Sequence, residues 1–151
     1  MPGQGSTTKL IAEKIESDNW IVVYKCIPNT PHLSVIPIPI KLGSSKQRYP
    51  DILAVKGSIL RLIEVEISFT AAVTENIITR FSEMKQSLAD KGLYGQWKAA
   101  VKSRTGITLP SDFTVYCELV ICKGSINKQP LLVAQLSHYN ITVESSEKYL
   151  T

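Results

Sequence analysis

Asp51 follows Pro50, and after a gap of twelve residues Glu64 and Glu66 flank Val65. Alternate residues of a strand share a face. Over Ile59–Ser68, then, Ile59, Arg61, Ile63, Val65 and Ile67 point one way, and Leu60, Leu62, Glu64, Glu66 and Ser68 the other. Both faces begin apolar, the pattern of a central strand. Its second half sets two carboxylates on a face that belongs to the core, where leaving them uncompensated is costly. Either the strand end runs out into solvent, or positive charge sits beside it. A hairpin beginning at Asp51 brings a third carboxylate to the same edge. Oxygen ligands gathered at the ends of adjacent strands suit a divalent cation such as Mg²⁺, which takes one or two carboxylates, keeps several waters and bridges to phosphate oxygens. Such a cation acidifies a water and stabilises the charge that develops in phosphodiester cleavage.

The elements that must position these residues can be read from periodicity. Leu10, Ile11 and Ile15 form the stripe of a helix over Thr7–Asp18, with N-cap hydroxyls on Ser6, Thr7 and Thr8. Trp20–Tyr24 reads as a strand. Pro28, Pro31, Pro37 and Pro39 then break regular structure, so residues 27–49 form a long loop or arm, with Val35–Ile40 an edge strand or extended arm. Asp51–Val55, a Lys56-Gly57-Ser58 turn and Ile59–Ser68 make a hairpin. Phe69 or Thr70 opens a helix to about Asp90, with Ile77, Ile78, Phe81, Met84 and Leu88 on its apolar side and Gly92 as the stop signal. A basic helical segment (Leu93–Arg104), a strand (Thr114–Cys122), a helix (Pro130–Tyr139) and a short strand (Ile141–Val143) follow. The order αβββα(α)βαβ implies an α/β fold, a mixed central sheet flanked by helices.

In this order, Pro50-Asp51 and Glu64-Val65-Glu66 resemble the signature of the PD-(D/E)XK nuclease superfamily. Gly5–Glu13 with the downstream acids looks most like the small Holliday-junction resolvases and compact restriction or homing endonucleases. The resemblance covers roughly Gly5 to Asp90. It implies a restriction-endonuclease-like fold and a metal-dependent endodeoxyribonuclease using Mg²⁺, with Mn²⁺ able to substitute. It further implies action on a branched junction or a specific duplex site, as a homodimer. Carried over by position, Asp51 and Glu64 are metal ligands, and Glu13 matches the helix-one glutamate that binds metal directly or through water. An ordinary exposed helical glutamate is the competing reading of Glu13. The third residue of the triplet, usually Lys, is Glu66 here; a minority of restriction enzymes resembling this family carry Glu there and still cleave. Lys85 is a possible substitute lysine, or it lays its stem along the apolar side of its helix.

Charge points to the same class of partner. From Lys41 to Arg104, eleven Lys/Arg stand against six Asp/Glu, whereas the rest of the chain has a surplus of one acid. Such asymmetry suits a polyanion, although a solvated helix face gives the same count. Lys41, Ser44, Ser45, Lys46 and Arg48 immediately precede Pro50-Asp51 and are expected to hold DNA phosphates at the rim of the site. Ser68 either contacts a phosphate or caps the next helix.

The 151 residues, 44% hydrophobic, make a single domain (1–151) and exclude disorder. No apolar run reaches the ~18 residues of a membrane span. The N-terminal stretch lacks the order of a signal peptide, and three cysteines (Cys26, Cys117, Cys122) read as reduced, packed thiols, so the expected location is cytoplasmic. Two rival readings remain: a nuclease-like protein that has lost activity and only binds nucleic acid, and an assembly protein whose Val35–Ile40 arm adds to another subunit's sheet.

Overall fold

The computed structural model describes residues 4–26, 36–39 and 47–150. Its centre is a five-stranded mixed sheet built from β1 (Ile21–Lys25), β4 (Ile52–Lys56), β5 (Ile59–Glu66), β6 (Thr114–Ile121) and β7 (Ile141–Ser145), in the order β1-β4-β5-β6-β7. Two short strands, β2 (Ile38–Pro39) and β3 (Gln47–Arg48), pair separately. β1, β4 and β5 run antiparallel, whereas β6 and β7 lie parallel to β5. Parallel neighbours need crossovers. Helices α2 (Ala71–Ala89) and α3 (Lys91–Thr105) bridge β5 to β6, and α4 (Pro130–His138) bridges β6 to β7.

The alternation read along the central hairpin sorts the core into two layers. Ile52, Ala54, Ile63 and Val65 pack against Ile11, Ala12 and Ile15 of α1 (Gln4–Ser17) and against Tyr149 in a 3-10 turn at Ser146–Tyr149. Leu53, Val55, Leu60 and Leu62 face the other way, onto Ile77, Phe81 and Met84 of α2 and Trp97 and Val101 of α3. β5 is buried along nearly its whole length, as a strand flanked on both sides and covered on both faces must be.

The α/β class and the element order match the sequence expectation; several local details differ. α1 begins at Gln4, so Thr7 and Thr8 are buried inside it and do not cap it. Thr70 caps α2 through its side chain, which accepts from the Val73 amide at 3.2 Å, and Ser68 is exposed. Gly92 stops nothing: Asp90 closes α2 and, accepting from the Leu93 amide at 3.0 Å, also opens α3. A short acidic side chain serves both ends because it satisfies the amides at the start of the second helix.

Of the Pro-rich segment, residues 36–39 and 47–49 are described, and the edge strand expected there is present in part as β2, whereas the free-arm alternative is corrected. Of the expected arm, Val35 and Ile40 lie outside the described residues, but Ile36 and Ile38 are 2% and 1% exposed. They sit in the α2–α3 core, and Trp97 Nε1 donates to the Ile36 carbonyl at 3.2 Å. Residues 36–39 fold onto their own domain. Truncating Ile38 to Ala should therefore lower stability by about 3 kcal/mol, measured by urea denaturation. A wild-type midpoint would return the segment to a free arm.

Candidate active site

Asp51 and Glu64 meet where β4 runs out. The β4–β5 ladder ends at the pair Ile52–Ile63, and buried Pro50 cannot donate to extend it. Asp51 turns its side chain to the neighbouring strand instead, and its Oδ2 accepts from the Val65 amide at 2.7 Å. Its own carbonyl accepts from Cys26 at 2.7 Å, tying the same corner to the end of β1. Glu64 is only 2% exposed, beneath α2. The two carboxyls lie within hydrogen-bonding reach of each other.

Such a pair cannot ionise fully without a cation. Burial, then the neighbouring Asp51, pushes the Glu64 carboxyl well above the usual glutamate range. Burial also raises Asp51, against the Val65 amide and Arg80, which lower it. Arg80 opposes the rise of Glu64, as it does that of Asp51. Glu66, half-buried at the end of β5, is raised by burial and then by Asp51.

The positive charge demanded by the pattern is Arg80 on α2. Its Nη2 and Nε donate to Glu64 Oε1 at 2.9 and 3.3 Å, and Nη2 also donates to the Tyr49 carbonyl at 3.2 Å. Arg80 had a readable signal: it lies three residues after Ile77 and four before Met84, in the inward stripe of α2. Lys85 borders the same stripe, so spacing alone does not choose between them. Lys85 is half-buried elsewhere on α2, beside Tyr139 and Ile141, where its charge acts on Cys117. Burial pushes the Cys117 thiol up to about 12 and Lys85 opposes that rise.

Other nominated residues are dispersed. Glu13 is exposed on α1, which covers the sheet face opposite Glu64, so it does not join the pair. Arg48 is engaged by α2, its Nε 3.3 Å from Glu83 Oε2, and is not an unpaired phosphate hook. Lys41, Ser44, Ser45 and Lys46 lie outside the described residues. Lys102 donates to the Gly106 carbonyl at the end of α3, the helix-capping role expected of a basic last turn.

All three acids have folded-state pKa values above their ordinary ones. Each therefore adds stability below its ordinary pKa that is lost as pH rises through the raised value. In EDTA the melting temperature should climb as pH falls from about 8 toward about 5, and Glu64→Gln should flatten that slope. A melting temperature that falls steadily over the same range in the wild type would contradict the buried, proton-holding pair. Arg80→Met should cost about 3 kcal/mol at neutral pH, because it leaves the carboxylates without their cation, with most of the loss recovered where Glu64 is protonated. Chemical denaturation at two pH values checks this.

Comparison of the chain with protein-family models, curated proteins and solved structures finds no match, and the reading of this site rests on its burial, charge and hydrogen bonding.

Proposed function

We propose that the protein is a Mg²⁺-dependent endodeoxyribonuclease, with Mn²⁺ able to substitute, that hydrolyses phosphodiester bonds in duplex or branched DNA as a homodimer of restriction-endonuclease-like subunits. The observation that carries this reading is the pairing of Asp51 with Glu64 beside Glu66, three acids faced by one guanidinium. Among the described residues no group of three or more His, Cys, Asp or Glu is already arranged as a metal cage. Mg²⁺ needs no such cage, since one or two carboxylates with waters and substrate oxygens suffice. The donor set, all oxygen and in anionic excess, fits that cation.

Asp51 and Glu64 would hold the ion. Bound there, Mg²⁺ supplies charge stabilisation at the phosphoryl group and a more acidic water. Glu66 would accept the proton of the attacking water as its oxygen bonds to phosphorus. The bond from phosphorus to the departing sugar oxygen breaks, and that oxygen takes a proton from solvent. Arg80, partly exposed, can follow the developing negative charge with a charge-assisted hydrogen bond. The Lys/Arg surplus between Lys41 and Arg104 supports DNA as the polyanion.

One observation favours a second reading. Arg80 already satisfies an oxygen of Glu64, as it would in an inactive nuclease-like protein that only binds nucleic acid or assembles with it. Incubation with supercoiled plasmid and a branched junction, in Mg²⁺, Mn²⁺ or EDTA, separates the two. The nuclease reading expects nicking or resolution only with metal. Asp51→Asn and Glu64→Gln should each abolish it while DNA affinity persists, and Glu66→Gln should slow it by about 10². Salt-sensitive binding without cleavage under every condition selects the binding protein.

A further inference from the structure

On the face of β5 opposite the acids, α1 covers the sheet only in part. It packs on Ile63 and Val65, whereas Ile59, earlier on the same face, is 40% exposed. The helix ends at Ser17, and Asn19 takes a left-handed φ of 71°, which turns the chain back. Trp20 is thereby tied to the helix end, its amide donating to the Ile15 carbonyl at 3.0 Å. Arg61 and Tyr116 stand opposite each other in the β5–β6 register. Together with Trp20 and Ile59 they line a cavity of about 280 Å³, at the small end of the range for ligand sites.

The lining has the chemistry of a flat ligand with a polar edge. Trp20 and Tyr116 are half-buried, so each leaves part of a ring open, and Ile59 adds apolar surface. Arg61 Cζ lies 5.0 Å from the Trp20 ring centre and 5.6 Å from that of Tyr116, contacts that hold the guanidinium in place. Its Nε and Nη2 donate to Glu118, and Nη2 also to Tyr149, but Nη1 has no acceptor among the described residues. A side chain that is 9% exposed thus keeps unused donors beside a cavity, where an entering group can supply the acceptor. Glu118 already balances the guanidinium, so a neutral carbonyl or ring nitrogen suits it better than a second carboxylate. Exposed Lys56 adds positive charge nearby, its Nζ 5.8 Å from the Trp20 ring centre. A flat ring with acceptors on its edge and a phosphate alongside is a nucleotide.

We propose that this cavity holds the base of an unpaired nucleotide in a DNA strand, stacked on the open parts of Trp20 and Tyr116, with Arg61 Nη1 donating to the edge of the base and Lys56 facing its phosphate. Stacking of this kind tolerates any base. It rests on DNA being the ligand, as in the proposed function, and does not require cleavage.

The test uses the full-length protein in EDTA, with an oligothymidylate, an abasic strand of the same length and thymidine 5′-phosphate as probes. Affinity is measured by calorimetry and stacking by tryptophan emission, which reports on Trp20 because Trp97 is 1% exposed. The oligothymidylate should quench the emission and bind about 10-fold more tightly than the abasic strand. Trp20→Leu should lose both the quenching and that advantage, whereas Trp20→Phe, which keeps a ring, should retain most of the affinity. Equal binding of the two strands overturns the proposal, since the contact is then with phosphates alone. So does unchanged oligothymidylate affinity in Trp20→Leu, or thymidine 5′-phosphate binding as tightly as the strand, which assigns the cavity to free nucleotides. If Trp20→Leu does not fold, Tyr116→Leu and the two strands on the wild type decide in the same terms. Base-dependent binding without plasmid cleavage in Mg²⁺ or Mn²⁺ removes the nuclease and leaves the cavity. Cleavage beside equal binding of the two strands, or beside binding of neither, overturns the cavity alone.

Discussion

Burying Glu64 beside Asp51 under α2 sets like charges together in a medium that screens them poorly, and the surrounding structure is arranged around that imbalance. Asp51 is steadied by the Val65 amide, Glu64 by Arg80, and Arg80 in turn by the Tyr49 carbonyl. These partners come from the loop before β4, from β5 and from α2. The ion pair therefore fixes how α2 lies across the hairpin as well as the charge state of the pair. A fold selected for stability alone would fill this corner with apolar side chains, since exchanging a buried ion pair for a hydrophobic contact is often neutral or favourable.

The opposite face of β5 shows how the same chemistry looks when it is closed. Arg61 donates through Nε and Nη2 to Glu118 Oε1 at 3.1 and 2.6 Å, and Tyr149 hydrogen-bonds both residues. Its guanidinium also lies against the rings of Trp20 and Tyr116. Here one cation meets one carboxylate and the phenol is used. At Asp51 and Glu64 one guanidinium faces more than one acid. That contrast separates a charge-balanced polar cluster from one in which the acids outnumber the cation.

Much of this could be read along the chain, because the decisive features are periodic or local. Alternation in Ile59–Ser68 separated Arg61 from Glu64, and Pro50 with the hairpin spacing brought Asp51 to Glu64. The apolar stripe of α2 marked the covering helix, and the need for a nearby cation followed from burial alone. What escaped depends on the third dimension. Lys85 and Arg80 both border the stripe of α2, and only the crossing of that helix over the hairpin decides which faces Glu64. Tyr24 was assigned to a strand, but an extra residue in the ladder decides its face, and no local pattern marks a bulge. Glu13, matched to the family's helix-one glutamate, is instead the ordinary exposed glutamate of the competing reading, because α1 packs on the far layer. Ile36 and Ile38 looked unpaired because their partners, Trp97 and the α2–α3 core, come much later in the chain.

The two polar clusters have a consequence for how the sheet is aligned during folding. β5 and β6 pair in parallel only after α2 and α3 have closed a long crossover, and apolar strands of this kind can slide past one another. Sliding β5 by one position would invert its faces. Arg61 would then point into the α2 layer and Glu64 toward α1, each stripped of its partner. Sliding by two would restore the faces but carry Glu64 away from Arg80. The charges that make the strand expensive to bury thus act as alignment marks, favouring the registry in which both ion pairs close.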